Sequence, residues 1–252
     1  LRTFAVRGKA SQPFIGFGDP NLDGPGGTDR GPLDYAHLTR NLGTKPNVLK
    51  QTFSPLPGTA DELRGIASAL GASNDNVYLG PKATETMVKT MSLDRYRVIA
   101  FATHGLMAGE KGGLKEPALV LTPPATPTAE DDGYLTASEV AQLTMNAEWV
   151  LLSACNTAFD NEPDADGLAG LARAFFYAGS RALLVSHWPI ASKATITLVT
   201  QMFKTLANDN DIGRAEALRQ SMLLMINDRD HPHRSHPAYW APFTIVGEGA
   251  RG

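Results

Sequence analysis

Short, continuous apolar runs alternating with helical stripes restrict this chain more than any other feature. "PFIGFG" (13–18), "RVIAFAT" (97–103), "PALVLTP" (117–123), "WVLLSA" (149–154), "RALLVSHW" (181–188) and "FTIVG" (243–247) read as strands. The central runs are apolar at successive positions rather than alternate ones, the pattern of strands covered on both faces. Between them lie stretches with helical spacing. Leu168, Leu171, Ala172, Phe175 and Phe176 form one stripe, closed by Gly179; Ile196, Val199, Phe203 and Leu206 form another; Leu218, Met222 and Met225 mark a last helix. "TADE" (59–62) and "TASE" (136–139) both fit the capping box, in which hydroxyl and carboxylate satisfy the free N–H groups of a helix start. The first of these helices is expected to run to Gly71. Strands alternating with helices predict an α/β fold with a largely parallel sheet.

Composition narrows the function classes. A chain of 252 residues, 42% hydrophobic and 19% charged, buries a substantial core in one large domain or two small ones. Net charge is −3, and the 23 basic residues form no run or stripe, so the electrostatic footprint of a nucleic-acid binder is missing. No apolar stretch approaches the ~20 residues that span a bilayer, and "LRTFAVRGKA" has no apolar core of a signal peptide. One cysteine cannot form an internal disulfide or a zinc site built from cysteine pairs, and a reducing, cytoplasmic setting is expected. The chain starts at Leu1 without a methionine, which reads as an excised or processed part of something longer. "DPNLDGPGGTDRGP" (19–32) is expected to be a mobile surface loop and lacks the order of a phosphate-binding loop. "PPATPTAEDDG" (123–133) reads as a second polar loop, and no internal repeat is visible.

Two strand ends carry the chemistry. "FATHG" (101–105) ends one apolar run on His104 backed by Gly105, and "WVLLSACNT" (149–157) ends another on Cys155, the single cysteine. Open α/β sheets place ligand and catalytic groups at the C-terminal ends of parallel strands. A cysteine attacks a carbonyl as thiolate and needs a base or cationic neighbour, a role histidine fills before protonating the leaving amine. Gly105 has no Cβ, so its N–H, with that of Cys155, offers an oxyanion hole. Separately, a cysteine in an apolar run is usually a small core residue and a lone histidine usually structural. Together at two strand ends they point to catalysis, and a histidine about 50 residues before the nucleophile matches caspase spacing.

"YRVIAFATHG", "EPALVLTP", "DGYLTASEVAQL", "AEWVLLSACNT", "GLAGLARAFFYAGSRALLVSHWPI" and "HPAYWAPFTIVGEG" resemble, in order, the successive blocks of the CHAT family. These are caspase-like cysteine peptidases related to separase and commonly found C-terminal to tetratricopeptide repeats. The resemblance implies a caspase-hemoglobinase-like three-layer α/β/α sandwich with a mostly parallel central sheet. It also implies a dyad of His104 and Cys155, an oxyanion hole at Gly105 and Cys155, and no cofactor or metal. Implied partners are a protein substrate and an upstream repeat module or regulatory protein, with no direct nucleic acid and no membrane. The family usually has a longer N-terminal part before the segment resembling "QPFIGFGDP", so the chain is expected to begin inside the domain. In "VSHWP" the family more often has an aliphatic residue at the position of His187; Ser186 and Trp188 beside it are the expected substrate contacts. "SACNT" departs from the caspase signature, so aspartate specificity is not implied.

"NTAFDNEPDADG" (156–167) carries Asp160, Glu162, Asp164 and Asp166. Asp166 suits the cap of the following helix, while Asp160 and Asp164 are candidates for a pocket that favours Arg or Lys before the scissile bond. No G-x-S-x-G elbow or H-E-x-x-H motif is present. His231, His233 and His236 in "HPHRSHP" read as a solvated loop rather than a metal site, and Met222 and Met225 as core. The rival to an enzyme is a caspase-like module that keeps the fold and binds protein partners.

Overall fold

Gln12–Pro20 (β1), Val77–Gly80 (β2), Tyr96–Ala102 (β3), Trp149–Leu152 (β7), Ala182–Ser186 (β8) and Phe243–Gly247 (β9) form one sheet in the order β2-β1-β3-β7-β8-β9. The computed structural model describes residues 10–22, 56, 58–106, 115–153, 166–186, 192–209 and 211–249, with the backbone alone at 166–169 and 192. Every neighbouring pair is parallel except β8–β9, where the last strand returns antiparallel at the edge. A second sheet, antiparallel and three-stranded, joins Gly105–Leu106 (β4), Ala118–Val120 (β5) and Tyr134–Thr136 (β6).

The helices are Gly58–Ala69 (α1), Glu85–Thr90 (α2), the single turn Ala137–Val140 (α3), Asp166–Ala178 (α4), Ser192–Asn208 (α5) and Arg214–Ile226 (α6). They cover the sheet from both sides, and the two-residue period of a strand divides the apolar runs between two cores. Ile15, Phe17, Ile99, Phe101, Val150, Leu152 and Val185 pack against Phe175 of α4. Phe14, Val98, Ala100, Ala102, Leu151 and Leu184 pack on the other face against Leu63 and Ile66 of α1, Leu198 of α5 and Met225 of α6. This is the α/β/α layering of a caspase-like fold, and it explains why the central runs show no polar alternation.

All six expected strands form, but "PALVLTP" joins the small sheet rather than the central one. β2, β4 and β6 were not foreseen: each has four residues or fewer, too short for periodicity to register. The capping box at "TASE" is present, with Thr136 and Glu139 satisfying each other's backbone. The one expected at "TADE" is not made. The Thr59 hydroxyl donates to the Leu56 carbonyl (2.7 Å) and accepts from the Asp19 N–H (3.0 Å), leaving Glu62 to a different environment. Gly71 (φ 67°) and Gly179 (φ 115°) close α1 and α4 in the left-handed conformation. The loop expected at 19–32 lies outside the described residues beyond Leu22.

The 123–133 loop is polar as expected, yet firmly tied. The Glu85 carboxylate, at the start of α2, accepts from the N–H groups of Asp132 (2.9 Å) and Gly133 (3.0 Å). Lys89, one turn on, donates to Glu85, to the Glu130 carbonyl (2.6 Å) and to Glu139 (2.8 Å). Burial opposes charge at Glu139, but the bonds from Lys89 and Thr136 outweigh it and hold its carboxyl below the usual range.

Candidate active site

β3 and β7 are neighbours in parallel register, with Phe101 opposite Leu152. Their C-terminal ends therefore emerge side by side, and the Ser153 N–H, just past β7, donates to the Phe101 carbonyl (3.2 Å). Three residues after Phe101 stands His104. It is 4% exposed, and its carbonyl accepts from the Val120 N–H (2.8 Å). The buried Thr103 hydroxyl donates to the Val120 carbonyl. The chain leaving β3 is thus clamped to β5 on both sides of the histidine, which fixes its backbone at the edge of the sheet.

That clamp also sets the direction of Gly105. In an antiparallel ladder hydrogen-bonded and non-hydrogen-bonded pairs alternate. His104 and Val120 share a hydrogen bond, so the following pair, Gly105 opposite Leu119, is of the other kind. The Gly105 N–H points away from β5.

Just past the neighbouring strand, the backbone of Ser153 is held on both sides. Besides its N–H bond to Phe101, its carbonyl accepts from the Ser186 hydroxyl (3.0 Å). Ser186, expected to touch substrate, has no exposed surface and spends its hydroxyl on Ser153. Glu62 is 3% exposed, and burial pushes its carboxyl up to about 7. Its Oε1 has no hydrogen-bond partner among the described residues. Cys155, Asp160, Asp164 and Trp188 lie outside the described residues, as do His187 and Glu162. The structure thus places His104, Gly105 and Ser186 at one end of the sheet, within the frame from which the chain runs on to Cys155.

Sequence reasoning read Glu62 as a capping-box carboxylate and did not single out Ser153. One signal for Glu62 was available: it sits one turn before Ile66 and beside Leu63, an acid on a stripe that otherwise faces the core. Thr122 was missed as well. This buried hydroxyl accepts from the Asn21 N–H (2.8 Å) and donates to the Gly80 carbonyl (2.7 Å), tying the ends of β1 and β2 to β5. The three histidines of "HPHRSHP" are exposed on short 3₁₀ turns, with His231 beside Asp228 (3.1 Å) and His236 accepting from the Ala238 N–H. No group of three metal-binding side chains occurs among the described residues. Met225 is buried and Met222 packs against the same core.

A family model for the CHAT domain matches residues 5–248. The chain belongs to the CHAT domain family. Tetratricopeptide repeat protein 28 of Mus musculus is 26% identical to it over 229 residues, covering 79% of this chain and 9% of that protein. The protein of the same name from Homo sapiens is 24% identical over 229 residues, with the same coverage. The chain therefore spans under a tenth of the curated relatives it matches. CHAT domains are caspase-like, which agrees with the layering and strand order. In this CHAT domain the ends of β3 and β7 lie side by side, with the backbone of His104 fixed just beyond the first.

Proposed function

We propose that this CHAT domain is a cysteine endopeptidase that cleaves protein substrates through His104 and Cys155. The observation that carries the reading is the adjacency of the β3 and β7 ends, with His104 clamped at the first. In the reaction, His104 takes the Cys155 thiol proton and the sulfur attacks the scissile carbonyl carbon. The oxyanion of the tetrahedral intermediate is met by the Gly105 and Cys155 N–H groups. The C–N bond breaks, the amine leaves with the proton from His104, and a thioester remains. Water, deprotonated by His104, hydrolyses the thioester, releasing the carboxylic acid and restoring the thiol. No step needs a metal or cofactor.

Asp160 and Asp164 are proposed to favour Arg or Lys before the cut, and Trp188 to line the groove. The tetratricopeptide repeat relatives support a repeat module or regulatory protein as partner. The test is a proteome-wide survey of cleavage sites with the wild type beside Cys155→Ala. Neo-termini that vanish in Cys155→Ala support the reading. Identical surveys from a folded wild type and the variant, with the repeat partner supplied, leave the protein-binding module in its place.

A further inference from the structure

β5 holds the backbone around His104, and a carboxylate that the mechanism does not use holds β5. Val120, which bonds both His104 and Thr103, is followed by Leu121, whose N–H donates to the Gly133 carbonyl (2.8 Å). On its other side, the Gly133 N–H donates to the Glu85 carboxylate (3.0 Å), as does the N–H of Asp132 (2.9 Å). Hydrogen bonds therefore lead from Glu85 to Gly133, from Gly133 to β5, and from β5 to His104.

Glu85 has no exposed surface, and a carboxylate out of water destabilises a fold unless its hydrogen bonds are made. The start of α2 does not need it there, because the Thr84 hydroxyl already accepts from the Met87 N–H (3.1 Å). Its bonds go instead to the turn that returns the chain onto β5. That turn has little freedom of its own. Gly133 is left-handed (φ 87°), and a Cβ there would stand 2.9 Å from Pro123 Cα. The residues around Glu85 hold the same two segments: the Thr86 N–H donates to Asp131 (3.2 Å), and the Ala83 carbonyl accepts from the Thr122 N–H (2.8 Å). The small sheet is thus docked on residues 83–86 by bonds to both of the chains that flank its 123–133 loop.

We propose that Glu85 is a positioning residue for His104: by holding the N–H groups of Asp132 and Gly133 it sets the place of β5, and β5 sets the backbone that carries the imidazole. Lys89, which donates to Glu85, to Glu139 and to the Glu130 carbonyl, supplies the counter-charge for the buried carboxylate. The inference rests on the reading of His104 as the acid–base of the site, but its test requires no turnover.

The chain has six histidines, and His104→Gln assigns the His104 ring signal in the NMR spectrum. The titration midpoint of that ring and the hydrogen exchange of the Val120 amide are measured in wild type, Glu85→Leu, Glu85→Gln and Met225→Ala, each checked for folding by circular dichroism and thermal melting. Glu85→Leu is expected to move the midpoint by about half a pH unit, a change of about threefold in proton affinity. Exchange at Val120 is expected to quicken about tenfold relative to the β7 amides, which report the fold as a whole. Glu85→Gln keeps an acceptor for the two N–H groups while losing the charge, and is expected to stay close to wild type in both. Met225→Ala, buried in the opposite layer, loosens the core and is expected to leave the midpoint in place. A folded Glu85→Leu with the wild-type midpoint overturns the proposal. An equal shift in Met225→Ala also overturns it, as a general loss of stability, and an equal shift in Glu85→Gln does so as an effect of bare charge. If Glu85→Leu does not fold, native-state exchange of the wild type decides. The amides of Asp132, Gly133, Leu121 and Val120 are then expected to open together with one dependence on urea, and opening of Gly133 without Val120 overturns the proposal. Failure of the peptidase reading shows separately, as absence of cleavage by a protein whose His104 still responds to Glu85.

Discussion

At the scale of single residues, Glu62 makes a prediction about stability that is independent of catalysis. Its carboxyl, raised to about 7 by burial, holds a proton more tightly in the folded chain than in the unfolded one. The folded state is therefore favoured at low pH. That advantage disappears as pH rises from the unfolded value near 4.5 to about 7, and above that the stability from this group is constant and lower. The loss amounts to up to about 3 kcal/mol. Urea unfolding of wild type and Glu62→Gln at pH 5 and pH 8 checks it: the variant is expected to gain on the wild type as pH rises. A stability difference that does not vary with pH would show that Glu62 stays charged throughout. Lys89 supplies a second case. Lys89→Met would leave Glu85 and Glu139 facing each other without their shared cation, in a place where Glu85 has almost no exposed surface. A loss of about 3 kcal/mol is expected, the cost of breaking a buried ionic network from one side. Chemical denaturation measures it, and a change below 0.5 kcal/mol would place the cluster in solvent.

At the scale of elements, the two glycines of "FIGFGDP" decide how close α1 comes to the sheet. In Gly18→Ala the new methyl meets Leu63, which can rotate, and the Ala102 carbonyl oxygen, which cannot. The variant is expected to lose about 1–3 kcal/mol, read as a lower urea midpoint with an unchanged slope. A midpoint equal to the wild type would mean that α1 has room to withdraw. What the sequence made legible at this scale follows one rule. Long apolar runs and helical stripes were readable because their period repeats, so β1, β3, β7, β8, β9 and the helices α1, α4, α5 and α6 were all foreseen. β2, β4 and β6 were not, since two to four residues carry no period. The site divides the same way. His104 and Gly105 were legible as a break in a run. Ser153 was hidden because what holds it comes from other elements, Phe101 on β3 and Ser186 on β8. "TADE" misled because a local capping pattern competed with two tertiary contacts of Thr59, and the contacts won.

At the scale of the whole molecule, a largely parallel sheet covered on both faces leaves one edge for chemistry, the C-terminal ends of its strands. The small antiparallel sheet sits at that edge and grips the backbone around His104 through Val120. The central claim is that His104 activates Cys155. Its most direct test is covalent labelling by a peptide electrophile, with the modified residue located by mass spectrometry and the rate compared in wild type and His104→Ala. We predict a single adduct on Cys155, formed at least a hundredfold more slowly in His104→Ala while circular dichroism shows the fold intact. Labelling of Cys155 at the same rate in both proteins would contradict it.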